Sequence, residues 1–256
     1  MNVIAQNMPH ESVVPIILEL DGHPFFSGTG FFVYFPQFED DIFFVTARHC
    51  LKSDATDQFL GTLKIPYKSS AEAGSSAIKF ECFLETKYRD SEDQNMEDII
   101  VGVIERTTPE NYRILRGRAL RVLNQDCVNS ILEKKIEFNG NFRTLGFPSL
   151  SKEIIYNEES TPISSICQSR GFYGKFKKYN CFYNWYEMNN ISWKEDGIDG
   201  FSGSPIIELI PRHYGSQELE AIPLGVLVTE NHFISINAVT NTIANYFLEV
   251  RKETPE

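Results

Sequence analysis

Gly200-Phe201-Ser202-Gly203-Ser204-Pro205 is a serine set among glycines at the mouth of the apolar run Ile206-Ile207-Glu208-Leu209. Glycines at these positions let the backbone turn sharply and bring N–H groups together without Cβ clashes. The N–H groups of Gly200 and Ser202 are expected to point at one site and stabilise an oxyanion. Such a turn is common by itself, and it gains force from two segments upstream. Thr46-Ala47-Arg48-His49-Cys50 follows the apolar strand Phe43-Phe44-Val45, and Asp98 opens the run Ile99-Ile100-Val101. A histidine at a strand end has the rigid support a general base needs. A carboxylate at the mouth of a buried strand can accept the imidazole N–H and fix its tautomer. Asp93 and Glu97 compete for that role; Asp98 is preferred because it abuts the apolar run directly. The expectation is a nucleophilic triad of His49, Asp98 and Ser202, in that order along the chain.

Outward from these segments the chain reads as short strands separated by turn signals. Val13 to Leu20 is a strand, Asp21-Gly22 a hairpin turn, and Gly28 to Phe35 the next strand. Ile42 to Thr46 runs into His49, with a short helical turn expected over Cys50 and Leu51. Further strands are expected at 60–67, 77–86 and 99–104. Arg106 to Leu123 is polar and basic and reads as a crossover between two halves. Strands resume over Ile131 to Gly146, around 163–192, and over Ser204 to Ile210, Ile222 to Thr229 and Phe233 to Val239. Ile243, Tyr246, Phe247 and Val250 recur at helical spacing, so Asn241 to Lys252 is expected as an amphipathic C-terminal helix packed on the core. No internal repeat is visible. The fold expected is all-β: two six-stranded antiparallel β-barrels with a C-terminal α-helix, residues 1–115 carrying His49 and Asp98 and residues 116–256 carrying Ser202, together one unit.

Bulk composition agrees. The chain has 256 residues, 42% of them hydrophobic, with 20 Phe and 11 Tyr, enough for two barrels of about 100 residues each. A net charge of −11 repels phosphate backbones, so nucleic-acid binding is not expected. The acidic clusters at Glu39-Asp40-Asp41 and Asp90 to Asp98 read as solvated loops. Arg170 to Tyr179 interleaves basic and aromatic residues and reads as an exposed hairpin with one apolar face. The first residues lack the basic and apolar regions of a secretory signal, and no apolar run approaches about 18 residues, so no membrane span is expected. The five Cys at 50, 82, 127, 167 and 181 are widely spaced and read as free thiols in a reducing, cytoplasmic compartment. No metal set, P-loop or dinucleotide fingerprint is present, so neither metal nor cofactor is expected.

Taken together, these residues resemble the trypsin-like serine endopeptidases of chymotrypsin fold, in particular the bacterial branch with glutamyl endopeptidases and high-temperature-requirement proteases. Ser27-Gly28-Thr29-Gly30-Phe31-Phe32-Val33 is similar to that branch's strand before the histidine, and Thr46 to Cys50 to its histidine motif. Leu145-Gly146-Phe147-Pro148 resembles a turn in its second barrel, Gly200 to Pro205 its nucleophile loop, and Leu224-Gly225-Val226-Leu227-Val228 the strand that binds substrate backbone. The resemblance spans roughly residues 12–250. It implies hydrolysis of peptide bonds in a protein or peptide substrate through an acyl-enzyme intermediate.

Two departures matter. Phe201 stands where secreted trypsins carry the aspartate that pairs with a freshly cut N-terminus, so no such zymogen activation is expected. Ser27 and Gly28 stand where a partner for Cys50 would lie, so the usual histidine-loop disulfide is not expected either. Restraint then falls to a regulatory partner protein, an oxyanion loop ordered on demand, or narrow specificity. The resemblance places Asp196, six residues before the nucleophile, at the floor of the specificity pocket, where a carboxylate would favour Arg or Lys. Asp199 and Glu230 are alternatives for that acidity, and Val228 and Glu230 are further candidates for substrate contact. Glutamate preference is disfavoured because Leu224 to Val228 contains no histidine, His232 being the nearby one. Two other readings stay open: a catalytically silent trypsin-like binding module, which a collapsed loop at Gly200-Phe201 would favour, and an esterase or other acyl hydrolase on the same triad.

Overall fold

The computed structural model describes residues 9–38, 41–53, 55–67, 77–87, 96–157, 159, 162–179, 184–194 and 197–253. Its elements in chain order are β1 (Val13–Leu20), β2 (His23–Tyr34), β3 (Ile42–Thr46), β4 (Thr62–Leu63), β5 (Phe80–Lys87), β6 (Met96–Ile104), α1 (Pro109–Arg118), β7 (Leu120–Arg121) and α2 (Gln125–Glu137). There follow β8 (Asn141–Gly146), β9 (Lys152–Tyr156), β10 (Pro162–Cys167), β11 (Arg170–Lys178), β12 (Trp185–Asn189), β13 (Pro205–Pro211), β14 (Leu219–Leu227), β15 (His232–Ser235) and α3 (Ile236–Glu253).

Two β-units form. The second is a closed barrel, β11-β12-β15-β14-β13-β8, and every pairing in it is antiparallel. The first is an open sheet in the order β4-β1-β2-β3-β6-β5, with β7 pairing parallel to β2. It is a half-barrel where a six-stranded ring was expected. Among the described residues, the chain beside its edge strands β4 and β5 meets only at the isolated Pro66–Ala77 bridge, where Ile78 N donates to Ile65 O at 2.8 Å, too short a ladder to close a ring. A separate ladder, β9 with β10, lies outside both units.

The local causes are readable. Asp21 (φ 51°) and Gly22 (φ 79°) both adopt the left-handed conformation that a two-residue hairpin between β1 and β2 requires. β3 is buried at every position and sits between β2 and β6, which is why Ile42 to Thr46 reads as a continuous apolar run. The barrel is filled by rings: Phe176 lies 5.8 Å from Phe142 and 5.3 Å from Phe233, and Tyr186 stacks on Phe233 at 5.0 Å.

Three stretches depart from the sequence reading. The crossover contains α1, started by Thr108, whose hydroxyl accepts the Asn111 N–H, with Pro109 in the first turn. Residues 131–137, expected as strand, belong to α2, which Asn124 caps by accepting the Cys127 N–H at 2.9 Å; only Asn141–Gly146 of that stretch is strand. Phe233 to Val239 is strand only through Ser235, after which α3 begins. The C-terminal helix was expected and starts earlier than its spacing indicated. It bridges the two units: Phe247 stacks on Phe38 at 4.3 Å, and Thr242 donates to Thr86 at 3.1 Å. No described helix is long and apolar enough to cross a membrane.

Candidate active site

His49 sits in a 3₁₀ turn, Arg48–Cys50, that β3 delivers through Ala47. Ser27 Oγ donates to the Cys50 carbonyl at 2.6 Å and ties this turn to β2. Arg48 ion-pairs with Asp57 and, at 3.5 Å, with Glu85; Lys52 also pairs with Glu85. The turn is therefore anchored on both sides of the histidine.

Asp98 lies in β6, two residues before the Ile100 that pairs with Thr46 of β3. That register sets its carboxylate against the turn. Its Oδ1 accepts the His49 backbone N–H at 2.9 Å, and its Oδ2 lies 2.6 Å from His49 Nδ1. One carboxylate thus positions both the backbone and the ring of His49. With Nδ1 donating to Asp98, Nε2 is left as the acceptor. Burial disfavours the imidazolium, but the hydrogen bond to Asp98, then the nearby Cys50, outweigh it and push His49 up to about 10 from the ordinary 6.5. The side chains remain 37% and 28% exposed, so the pair faces solvent. Asp93 and the side chain of Glu97 lie outside the described residues.

Ser202 belongs to a loop tied back carbonyl by carbonyl. Asp199 O accepts from Ser149 N at 2.8 Å, Gly200 O from Thr29 Oγ1 at 2.7 Å, Phe201 O from Ser204 N at 2.8 Å and Ser202 O from Thr29 N at 2.9 Å. In a trans peptide the N–H points opposite to the carbonyl. Tethering Asp199 O and Phe201 O therefore turns the N–H groups of Gly200 and Ser202 outward. Neither has an acceptor among the described residues. Gly200 (φ 88°) and Gly203 (φ 85°) supply the left-handed conformations. A Cβ on Gly203 would lie 2.0 Å from Thr29 O and 2.3 Å from Thr46 Oγ1, so the loop closes on β2 and β3 at the residues leading to His49. Gly203 N donates to Leu227 O at 2.7 Å, which fixes the other side of the loop to β14.

Sequence reasoning missed the part played by Thr29. It is wholly buried. It donates through N to Ser202 and through Oγ1 to Gly200, and Oγ1 also accepts from Phe147 N at 2.9 Å. A Thr alternating with glycines in Ser27-Gly28-Thr29-Gly30 was the available signal. Phe201 is fully buried, with ring centroids 5.0 Å from Phe172 and 5.1 Å from Trp193, both edge-on. An aromatic cleft anchors the loop through Phe201.

The specificity candidates divide. Asp196 lies outside the described residues. Asp199 is exposed and contributes its carbonyl to the loop tether. Val228 is buried and donates its N–H to His232 O at 3.0 Å, while Glu230 is exposed at the tip of the turn before β15. The Val228 carbonyl and both backbone groups of Glu230 have no partner among the described residues, which leaves a short strand edge open beside Ser202. Cys50, Cys82, Cys127 and Cys167 are free thiols, and Cys50 Sγ contacts Ser202 O at 3.5 Å; Cys181 is outside the described residues. No group of three or more metal-ligating side chains occurs among the described residues.

A scan against protein-family models finds no match for this chain. No curated protein matches it in sequence either.

Proposed function

We propose that this protein is a serine endopeptidase with a chymotrypsin-like arrangement, acting through His49, Asp98 and Ser202. The observation that carries the reading is the peptide orientation in the nucleophile loop: with Asp199 O and Phe201 O accepting hydrogen bonds, the N–H groups of Gly200 and Ser202 are left without an acceptor among the described residues. That is the open form of an oxyanion-binding loop, and it weighs against the silent-module reading.

His49 Nε2 takes the proton of Ser202 Oγ as that oxygen attacks the scissile carbonyl. The carbonyl oxygen becomes an oxyanion and is held by the N–H groups of Gly200 and Ser202, each such donor contributing about 10²–10³ in rate. Asp98 stabilises the imidazolium. Collapse of the intermediate breaks the C–N bond, and His49 returns the proton to the leaving amine. Water then attacks the acyl-enzyme, giving its proton to His49, which passes it to Ser202 Oγ as the product acid departs. The acyl side of the substrate adds as a strand to the 228–230 edge.

The test is labelling with a fluorophosphonate probe. Wild type is expected to label, while Ser202→Ala and His49→Ala do not. A wild-type protein that stays unlabelled overturns the proposal.

A further inference from the structure

Beside the nucleophile loop lies a cation for which the triad has no use. Lys152 opens β9 and pairs there with Cys167 of β10. Its Nζ would be 2.8 Å from a Cβ placed on Gly200, and it lies 5.5 Å from the centroid of the Phe26 ring. Burial lowers its pKa to about 8 in the free protein, against a weaker opposing influence of Cys50 and Cys167; a carboxylate bound beside it raises it again and keeps it an ammonium. The contrast with two other shielded lysines is instructive. Lys52 and Lys135, with side chains 13% and 20% exposed, are neutralised by Glu85 and Glu208. Lys152 has neither an ion pair nor a hydrogen-bond acceptor among the described residues. A shielded ammonium without a counter-ion is costly to keep, and it is a ready receptor for an anion that arrives with a ligand.

Its position says which part of a ligand. The open edge at 228–230 continues β14, whose Leu227 carbonyl is bonded to Gly203, on the C-terminal side of Ser202. Lys152 stands on the other side, where a Cβ on Gly200 would meet Phe147 O at 2.5 Å and Ser149 N at 2.9 Å. A peptide added to the 228–230 edge passes Ser202 and leaves across Gly200 toward Lys152 and Phe26.

We infer that Lys152 selects substrates carrying a carboxylate, Asp or Glu, on the residue that follows the cleaved bond. The inference rests on the reading of Ser202 as the nucleophile. Charge-assisted hydrogen bonding to a carboxylate in a shielded site supports a selectivity of about tenfold or more over the corresponding amide. The chain's net charge of −11 repels an acidic peptide as a whole, so the preference has to be local to this lysine.

A degenerate synthetic peptide library, with cleavage products sequenced by mass spectrometry, tests it. The readout is the ratio of Asp and Glu to Asn and Gln after the cut bond. The ratio is taken within each variant, so a general loss of rate cancels. Wild type is expected to favour the acids about tenfold. Lys152→Met is expected to bring the ratio to one, Lys152→Arg to retain it, and Lys152→Glu to transfer the preference to Lys and Arg at the same position. Cleavage by wild type without an acid preference there overturns the inference while leaving the endopeptidase reading intact, as does an acid preference that survives Lys152→Met. Absence of both fluorophosphonate labelling and cleavage overturns the two together.

Discussion

Asp98 and Thr29 are the residues on which the site depends most, and they act in different ways. Asp98 sets the charge and tautomer of His49 through the 2.6 Å hydrogen bond to its ring and holds its backbone through the one at 2.9 Å. His49 is a base only when neutral, so a raised pKa moves the acid limb of the pH–rate profile to higher pH than the ordinary 6.5. Asp98→Asn removes the carboxylate. Its expected outcome is a fall in kcat of about 10⁴, with the acid limb of kcat/KM moved to lower pH; a limb that stays in place would separate Asp98 from the histidine. Thr29 has no charge and holds the loop mechanically. Thr29→Val keeps the shape but strands the Gly200 carbonyl and the Phe147 N–H. Leaving these two groups unsatisfied, one buried and one part-buried, costs about 2–4 kcal/mol, measurable by urea denaturation, and Thr29→Ser is expected to recover most of it. The His49–Asp98 pair and the glycine turn around Ser202 were legible because each stands at the end or start of an apolar run. Thr29 and Lys152 were not, because their meaning lies in neighbours more than a hundred residues away in Thr29's case, and in the missing counter-ion in that of Lys152.

Among the elements, the strands with one period and a clear turn were legible: β1, the Asp21-Gly22 turn, and β3 to the residue. The misreadings fall where an element changes type without a break. Phe138-Asn139-Gly140 is all that separates α2 from β8. Hence Ile131, Leu132 and Ile136 merge with Phe142 and Leu145 into one apolar stretch that hides a helical period beginning at Asn124. β15 runs directly into α3, and Phe233 to Val239 shows no polar punctuation beyond Ser235 and Asn237. The Asn237 N–H on Ser235 Oγ, at 3.3 Å, marks the change in structure, but a Ser-Ile-Asn step gives little hint of it in sequence. The half-barrel was hidden for another reason: ring closure depends on edge pairing between distant strands, which periodicity does not encode.

Across the whole molecule, the two β-units are fastened together twice. The Ser202 loop of the second unit hydrogen-bonds to Thr29 of the first, and α3 reaches back so that Phe247 packs on Phe38 and, edge-on at 6.3 Å, on Phe43. β7 of the first unit adds a third tie: its Arg121 ion-pairs with Glu220 of β14 at 2.6 Å. Unfolding is therefore expected as one cooperative transition, with calorimetric and van't Hoff enthalpies equal. Phe247→Ala is expected to cost about 3–4 kcal/mol. Two resolved transitions in either protein would show that the units are independent.

The Cys50 thiol has a consequence for how the site can be watched. It is wholly buried, its sulfur sits where a Cβ on Gly28 would be 2.4 Å away, and the Ser202 carbonyl covers it. An alkylating reagent reaches that sulfur only when the loop over it lifts. The rate at which Cys50 is capped, followed by peptide mapping beside the exposed Cys127, is thus a clock for the breathing of the loop that carries Ser202, running without any substrate.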